Sequence, residues 1–399
     1  MNTTPSPNQL PATRVDSVNG HAFFEERSIN GIKDLWFERR PTHGSTHVYI
    51  HGPFCAQLCS FCMHKGLKAG GRRDAIHEYY KRYLPGHLAD FSDVLSSSKI
   101  DAIYFGGGTA DIMPEEDMPR IFGAIPNFKK VACKVFEAHP ATFSEKQMEQ
   151  IILHEFTGGY VSFGLQTFDR DVCAREHRIY ASPEKLRAKV AFLQKAGISV
   201  NVDLVAFLSS PDVASLQLLA NDLAILTEQV APDTITIYPL RQALNFEHQL
   251  TQVIKARGQA QDALNAHRIN LMTALQDVVD KLCGCSNCYH QWKAPEDRVT
   301  KGQEDTKSSF MRPTYLTKLS THQTDKIRSY NSGTPPFHNK AQSVIGFGNY
   351  GRIYSHSYIT DEVAYYSMND DWMTRYFVVH DKRSPELNLD EKGWEVADL

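Results

Sequence analysis

The sequence predicts an α/β fold, a partial (β/α)6 barrel, and three observations support this. Six short segments are rich in Val, Ile, Tyr and Phe, and each ends near Gly, Pro or a polar residue, as strands do. Helical stretches separate these segments, so that strand and helix alternate along the chain. Repeated βα units with apolar strands indicate a parallel sheet that curls into a partial barrel.

The predicted elements follow one another from residue 46 onwards. The predicted strands are residues 46–51, 102–105, 131–137, 160–164, 199–204 and 234–238, and the predicted helices are residues 74–95, 115–125, 144–155, 183–196 and 216–228. Ser144 and Gln147 have capping-box spacing at the start of one helix, and Gly197 marks the end of another. Because the working groups of such barrels sit at the carboxyl ends of the strands, we expect the functional residues there.

The composition is that of a globular protein. A chain of 399 residues is too long for one small core, so we expect one large domain and an appendage. The formal net charge of −3 gives no electrostatic footprint for nucleic acid or an anionic membrane. No apolar run is long enough to span a bilayer, and no signal-peptide pattern opens the chain. The eight cysteines are therefore expected to be metal ligands and buried thiols in a reducing cytoplasm, with Cys133 and Cys173 in the core.

The amino-terminal segment differs in composition from the rest of the chain. Pro, Ser, Thr and Asn dominate residues 1–18, which predicts a flexible leader. Residues 21–40 mix apolar and charged side chains and are expected to pack over the barrel as a lead-in.

The stretch VYIHGPFCAQLCSFC, residues 48–62, is the strongest chemical signal in the chain. Cys55, Cys59 and Cys62 stand in a C-x3-C-x2-C spacing directly after the first predicted strand. Three thiolates on one loop can hold three corners of a 4Fe–4S cluster and leave the fourth iron without a protein ligand. A zinc knuckle and three buried thiols are the alternatives.

A glycine triplet follows the second predicted strand. Gly106, Gly107 and Gly108, followed by Thr109, allow a ligand to approach bare backbone N–H groups closely. A tight strand-to-helix turn would need the same residues, so the triplet alone leaves both interpretations open.

Polar side chains mark the ends of the later strands. Glu137 ends the third strand, and Asp203 lies at the end of the fifth. Gln166 follows the fourth strand, and its amide can donate and accept hydrogen bonds at once. The guanidinium of Arg178 has paired N–H groups that match the two oxygens of a carboxylate. Each residue alone would more often be structural, but together they indicate a binding site.

A second group of cysteines lies after the barrel. Cys283, Cys285 and Cys288 form a C-x-C-x2-C pattern with His290 nearby, after an amphipathic helix predicted at residues 262–282. This spacing suits a second iron–sulfur cluster or a zinc ion, and it equally suits a cysteine-rich loop.

The cysteine spacing on a loop after the first strand resembles the radical S-adenosylmethionine (SAM) superfamily. Further motifs narrow the resemblance to its HemN-like family, which contains oxygen-independent coproporphyrinogen III oxidase, heme chaperones, and related methyltransferases and cyclopropane-forming enzymes. The motifs that carry it are Tyr49 with His51, PFC at 53–55, GGGT at 106–109, SFGLQTFD at 162–169, Arg178, NVDL at 201–204 and IGFGNYG at 345–351.

The resemblance implies an architecture. It implies a radical SAM partial barrel over residues 46–244, after a leader and lead-in at residues 1–45. It also implies a HemN-like α+β domain over residues 245–399 that caps the active site.

The resemblance also implies cofactors. SAM would bind the open iron of the 4Fe–4S cluster, and an electron from a reducing partner such as flavodoxin or ferredoxin would release a 5′-deoxyadenosyl radical. Tyr49, Gly107 and Glu137 would contact this SAM. A second SAM, or a wall that both molecules share, would involve Phe61, Gly108, Thr109, Gln166, Arg178 and Asp203. One or two SAM molecules are compatible with the sequence.

The chain departs from the tetrapyrrole-specific members of the family. His64 stands where the oxidase has a further cysteine, and His338-Asn339 begins an HNxxYW heme pattern that residues 340–343 do not complete. We therefore expect a small-molecule substrate, with one-carbon transfer or cyclopropanation, or a related radical rearrangement, in natural-product biosynthesis. A heme chaperone, a coproporphyrinogen-oxidase-like decarboxylase and a structural zinc protein are the alternatives.

Overall fold

The computed structural model describes the barrel almost continuously and the remainder in segments. The described residues are 14–16, 22–39, 46–62, 66–208, 213, 215–239, 270, 274–275, 278, 288–291, 316–320, 343–348, 352–354, 362–368 and 374–381.

The strands and helices of these residues follow in chain order. The strands are β1 Arg14–Asp16, β2 Ala22–Arg27, β3 Thr46–Gly52, β4 Phe54–Cys55, β5 Leu67–Lys68, β6 Ile100–Gly107, β7 Cys133–Ala138, β8 Tyr160–Gln166, β9 Ser199–Ala206, β10 Thr234–Pro239, β11 Cys288–Gln291, β12 Leu316–Ser320, β13 Ser343–Phe347, β14 Arg352–Tyr354, β15 Glu362–Met368 and β16 Thr374–Asp381. The α-helices are α1 Ile29–Arg39, α2 Arg73–Glu78, α3 Leu84–Asp90, α4 Ser92–Ser97, α5 Met118–Gly123, α6 Glu145–Leu153, α7 Arg170–Arg175, α8 Pro183–Lys195 and α9 Ser215–Ile225.

A parallel sheet forms the barrel, in the strand order β13-β3-β6-β7-β8-β9-β10. All six predicted strands are present in it, and helices connect most of them, so the predicted α/β class and the partial barrel are confirmed. The seventh strand is a finding of the structure: β13 comes from the carboxyl-terminal part of the chain and pairs in parallel with β3. The motif at 345–351 therefore begins as a barrel strand.

Antiparallel strands extend the sheet at both edges. In the described part of the chain, β14, β15, β16, β2 and β1 continue it beyond β13, and β12 and β11 continue it beyond β10. The strand Arg14–Asp16 lies within the predicted leader, so a fully flexible leader is wrong at these three residues. Helix α1 of the lead-in packs with its buried Trp36 and Ile32 in the main core.

The two faces of the barrel sheet bury different side chains. One face packs on the helices through a large apolar core that includes Phe105, Phe136 and Val161. The alternate residues, such as Ala102, Cys133 and Val135, form a small separate apolar cluster with Tyr104 and Tyr160. Because side chains alternate along a strand, this second set lies on the concave face of the sheet, where the polar residues of the site follow.

The predicted helix at 74–95 is interrupted. It consists of α2, a π-helical turn Tyr79–Tyr83, and then α3 and α4. Pro85 at the start of α3 has no N–H to donate to the carbonyl of Lys81 four residues earlier. The guanidinium of Arg120 donates to that carbonyl instead, at 3.1 Å, which explains how the wider turn is tolerated.

The other helix signals are confirmed. Ser144 and Gln147 form the predicted capping box at the start of α6. Gly197, after α8, has a φ of +77°, as a helix-ending glycine requires. The helix predicted at 262–282 falls almost entirely outside the described residues, as do Cys283, Cys285 and His64.

Among the described helices, none combines the length and the apolar character that crossing a membrane requires.

Candidate active site

The cysteine loop leaves the carboxyl end of the first barrel strand. Cys55 is buried, Cys59 is partly buried and Cys62 is exposed, so the thiols run from the protein interior to its surface. The Cys55 sulfur is held between two glycines: a Cβ on Gly66 would lie 2.6 Å from it and a Cβ on Gly108 2.8 Å. The surroundings of Cys55 therefore leave space for no larger residue at either position.

The three thiols influence one another electrostatically. The pKa of Cys55 is raised to about 11, chiefly by burial. A hydrogen bond with the Thr109 side chain lowers this pKa, and the neighbouring Cys62 and Cys59 raise it. Within the described residues, no three His, Cys, Asp or Glu side chains converge closely enough to hold a single metal ion. A cluster instead distributes its thiolates over separate irons, and three neighbouring thiols on one loop fit that arrangement.

The glycine triplet packs directly on the cysteine loop. The N–H of Gly108 donates to the carbonyl of Gly52 at 2.7 Å, and the N–H of Thr109 donates to that of Phe54 at 2.9 Å. Gly107 has a φ of +110°, and a Cβ there would lie 2.8 Å from both the His51 ring and the Gly52 carbonyl oxygen. The glycines thus serve a close approach of two loops, as the structural interpretation requires, and ligand binding by the triplet stays a prediction.

Tyr49, Gly107 and Glu137 lie close together at the mouth of the barrel. The hydroxyl of Tyr104 donates to the Glu137 carboxylate, and the Tyr104 ring stacks on Tyr49 with centroids 5.9 Å apart. Burial raises the pKa of Glu137 to about 7; hydrogen bonds from Tyr104 and the Gly107 N–H oppose this, and Asp203 reinforces it. This carboxyl is therefore poised between its neutral and ionised forms near neutral pH.

Gln166 and Arg178 lie together around Gly164, and Asp203 stands opposite Gly164 on β9. Gln166 has a φ of +75° next to a bulge in β8, a strained conformation for a non-glycine residue. Its Oε1 is buried and finds no hydrogen-bond donor among the described residues. A buried acceptor without a donor is costly, so Gln166 is well suited to meet a ligand N–H or O–H.

A buried polar network holds Asp203 in place. Its carboxylate accepts from the Ser162 hydroxyl at 2.8 Å and from the Asn201 amide at 2.7 Å. The Asn201 carbonyl oxygen in turn accepts from the hydroxyls of Thr234 at 2.7 Å and Thr236 at 3.0 Å. The orientation of Asp203 is therefore set by three neighbouring strands.

The remaining predicted positions have mixed outcomes. Phe61 is partly buried against the main core. Cys133 and Cys173 are buried, as predicted for core thiols. Of the second cysteine group, only the backbone of Cys288 is described, in strand β11.

Sequence reasoning missed several residues of this site. Tyr104, Ser162 and Asn201 lie on the same strand face as Gly106, Gly164 and Asp203 and two residues before each of them. The period-two alternation of strands, followed backwards from the strand ends, is the signal that would have found them. Ser60 and Glu176, which join two loops, carry no local signal.

Comparisons with known proteins show which sequences and structures this chain resembles. No family model matches the chain. It is 30% identical over 227 residues to the oxygen-independent coproporphyrinogen III oxidase of Bradyrhizobium diazoefficiens, which covers 55% of this chain and 48% of that protein. It is 26% identical over 200 residues to the heme chaperone HemW of Buchnera aphidicola, covering 48% of this chain and 50% of that protein. The chain thus spans about half the length of these relatives.

A solved structure supports the fold. The coproporphyrinogen III oxidase HemN of Escherichia coli, a radical SAM enzyme, superimposes with a TM-score of 0.58 at 15% identity, over 82% of this chain and 68% of that one. At this identity the match concerns the fold, and it agrees with the partial barrel seen here.

Proposed function

We propose that this chain is a radical SAM enzyme of the HemN-like family, and that it modifies an unactivated carbon of a small molecule through a 5′-deoxyadenosyl radical. The observation that carries the proposal is the contact between the three-cysteine loop and the glycine triplet, with Cys55 between Gly66 and Gly108. A 4Fe–4S cluster on Cys55, Cys59 and Cys62 would supply the electron that cleaves SAM.

The residues around the cysteine loop are suited to bind a cationic cofactor such as SAM. Gly107 and Gly108 bring their backbone against the cysteine loop, since a Cβ at either residue would lie within 3 Å of that loop or of the strand before it. Glu137 offers a carboxylate to the positive end of the ligand. The Gln166 Oε1, which no donor of the described residues reaches, offers an acceptor to a ligand N–H or O–H. Asp203, held from two sides, offers a carboxylate to hydroxyl groups. One or two SAM molecules fit this proposal.

Electrons would enter at the exposed edge of the cysteine loop. Cys62 is exposed, so a reducing protein such as flavodoxin or ferredoxin can approach that edge of the cysteine loop in a cytoplasmic setting. The proposal includes no membrane or nucleic-acid partner.

For the reaction subtype we propose one-carbon transfer or cyclopropanation, or a related radical rearrangement, in natural-product biosynthesis. The support is the departure of the sequence from the tetrapyrrole patterns, with His64 in place of a cysteine and an incomplete pattern after His338-Asn339. The second candidate is a protein that acts on a tetrapyrrole, as an oxidative decarboxylase or heme chaperone. The names of the relatives favour it.

Anaerobic turnover tests the proposal. Reconstituted protein is incubated with dithionite, methyl-labelled SAM and either a metabolite extract or coproporphyrinogen III, and the products are followed by mass spectrometry. We expect 5′-deoxyadenosine in every case. Label in a new product supports group transfer, and loss of carbon dioxide from coproporphyrinogen III supports the second candidate. Protein that binds zinc and yields no 5′-deoxyadenosine contradicts both.

The pH dependence of SAM binding provides a second test. Because the pKa of Glu137 is raised to about 7, this carboxyl is mostly neutral at pH 6 and mostly ionised at pH 8. The sulfonium of SAM is positive and favours the ionised form, so binding should tighten as the pH rises. If only the ionised form binds, the dissociation constant falls by about tenfold over this window and levels off above it.

Isothermal titration at pH 6, 7 and 8 measures this effect. The Glu137→Gln variant should bind more weakly and without the pH slope. Glu145→Gln, at an exposed position in the first turn of α6, is the matched control and should follow the wild type. A slope retained in Glu137→Gln would assign the titration to another group.

A further inference from the structure

The segment that follows α7 holds the cysteine loop. The Ser60 N–H donates to the carbonyl of Glu176 at 3.1 Å, and the Ser60 hydroxyl donates to the Glu176 carboxylate. Backbone and side chain of one loop residue are thus bound to the same partner, immediately after the second cysteine.

Arg178, two residues further on, makes a second connection. Its Nε donates to the Leu165 carbonyl at 3.0 Å, and a terminal nitrogen donates to the Gly164 carbonyl. The other terminal nitrogen donates to the Cys59 sulfur at 3.4 Å. One guanidinium therefore joins the carboxyl end of β8 to a cysteine of the cluster loop, and its rigid fork fixes the direction of each bond.

We propose that Arg178 sets the reduction potential of the cluster by binding the Cys59 sulfur, and that it positions this ligand; the inference rests on the proposed function. Hydrogen bonds to the cysteine sulfurs and nearby charge are among the features that determine the potential of iron–sulfur clusters. One-electron reduction adds one negative charge to the cluster. A permanent cation that donates to a ligand sulfur stabilises the reduced form, so Arg178 makes the potential less negative.

This role differs from the one that the family resemblance implies, a contact with a second SAM or a place in a wall that both SAM molecules share. Three protein acceptors occupy three of the five N–H donors of Arg178, and two donors remain for a ligand. The two roles separate when SAM is absent: a contact with SAM leaves the potential of the SAM-free cluster unchanged, whereas a bond to the Cys59 sulfur does not.

The test is a redox titration of anaerobically reconstituted full-length protein without SAM, with dithionite as the electron donor and electron paramagnetic resonance as the readout. In Arg178→Met we expect about a tenfold lower ratio of reduced to oxidised cluster at a given solution potential. This corresponds to a midpoint about 59 mV more negative for a one-electron couple. Arg178→Lys keeps the positive charge but loses the planar guanidinium, so its midpoint potential should lie between those of the wild type and Arg178→Met.

Two variants serve as controls. Arg175→Met removes the same charge from a half-exposed position that contacts Glu176 and not the sulfur, and its potential should equal that of the wild type. Ser60→Ala removes the hydroxyl bond to Glu176 and leaves the Arg178 bond intact, so it reports on loop position alone. If Arg178→Met does not retain the cluster, the midpoint potential of Arg178→Lys serves as the test of the role of Arg178.

The possible results separate the two proposals. Wild-type protein that takes up no cluster contradicts the proposed function itself. If wild-type protein holds the cluster and Arg178→Lys has the wild-type midpoint potential, the role of Arg178 is overturned and the proposed function is not. The same potential is then required of Arg178→Met, provided that this variant holds the cluster. A shift of the midpoint potential of the same size in Arg175→Met also overturns the role of Arg178. The shift would then come from the loss of any nearby positive charge and not from the hydrogen bond to the Cys59 sulfur.

Discussion

Replacing Cys59 with alanine is expected to reduce 5′-deoxyadenosine formation by more than about 100-fold. Loss of a group that only supports a metal ligand typically costs 10- to 100-fold, and Cys59 is proposed as a ligand itself. Its sulfur lies on the loop between the buried Cys55 and the exposed Cys62, and two thiols cannot hold three irons. Product is measured by mass spectrometry, and iron and sulfide content by chemical analysis of the reconstituted protein.

The matched control is Cys173→Ala. Cys173 is a buried thiol in α7 whose S–H donates weakly to the Thr167 carbonyl, outside the three-cysteine loop. This variant should keep wild-type iron content and product formation. Undiminished product in Cys59→Ala would contradict the assignment of the loop as the cluster site, whatever the control shows.

Gly107→Ala is expected to lower the free energy of unfolding by on the order of 2 to 3 kcal/mol. The backbone at φ +110° is unfavourable for alanine, and the added Cβ would lie 2.8 Å from the Gly52 carbonyl oxygen and from the His51 ring. Neither neighbour can withdraw easily, because the Gly52 carbonyl accepts the Gly108 N–H and His51 is buried in β3. The expected displacement also moves the Gly107 N–H from Glu137, so SAM binding should weaken.

Urea denaturation of the unreconstituted protein measures the stability change. Gly86→Ala is the control: Gly86 is exposed in α3, and a Cβ added there would have no neighbouring atom within 4 Å, so alanine should stabilise by about 0.5 to 1 kcal/mol. Equal stability of Gly107→Ala and the wild type would show that the two loops adjust freely, contrary to the close contact described here.

Both predictions concern one structural unit. The cysteine loop and the glycine triplet are bonded backbone to backbone, and the triplet borders Cys55 directly. A change in either loop is therefore expected to affect cluster and cofactor together, so that iron content and SAM binding should fall in parallel in Gly107→Ala.

Much of the fold was predictable because its signals are local. Short runs of β-branched and aromatic residues predicted the six barrel strands. The spacing of Ser144 and Gln147 predicted the capping box, and Gly197 predicted the end of a helix. The spacing of Cys55, Cys59 and Cys62 depends only on the chain between them, and polar residues at strand ends meet at one edge of any parallel sheet. These features follow from neighbours in sequence.

Tertiary structure alone decided what depends on distant partners. The pairing of β13 with β3 brings together residues almost three hundred positions apart. No local pattern in Ser343–Phe347 predicts that this strand pairs with β3. The same holds for Arg178, whose sequence neighbours do not reveal that its acceptors are Gly164, Leu165 and Cys59. Periodicity and caps are properties of a segment, whereas strand order and the choice of a hydrogen-bond acceptor arise only when the sheet closes and buries its polar groups together.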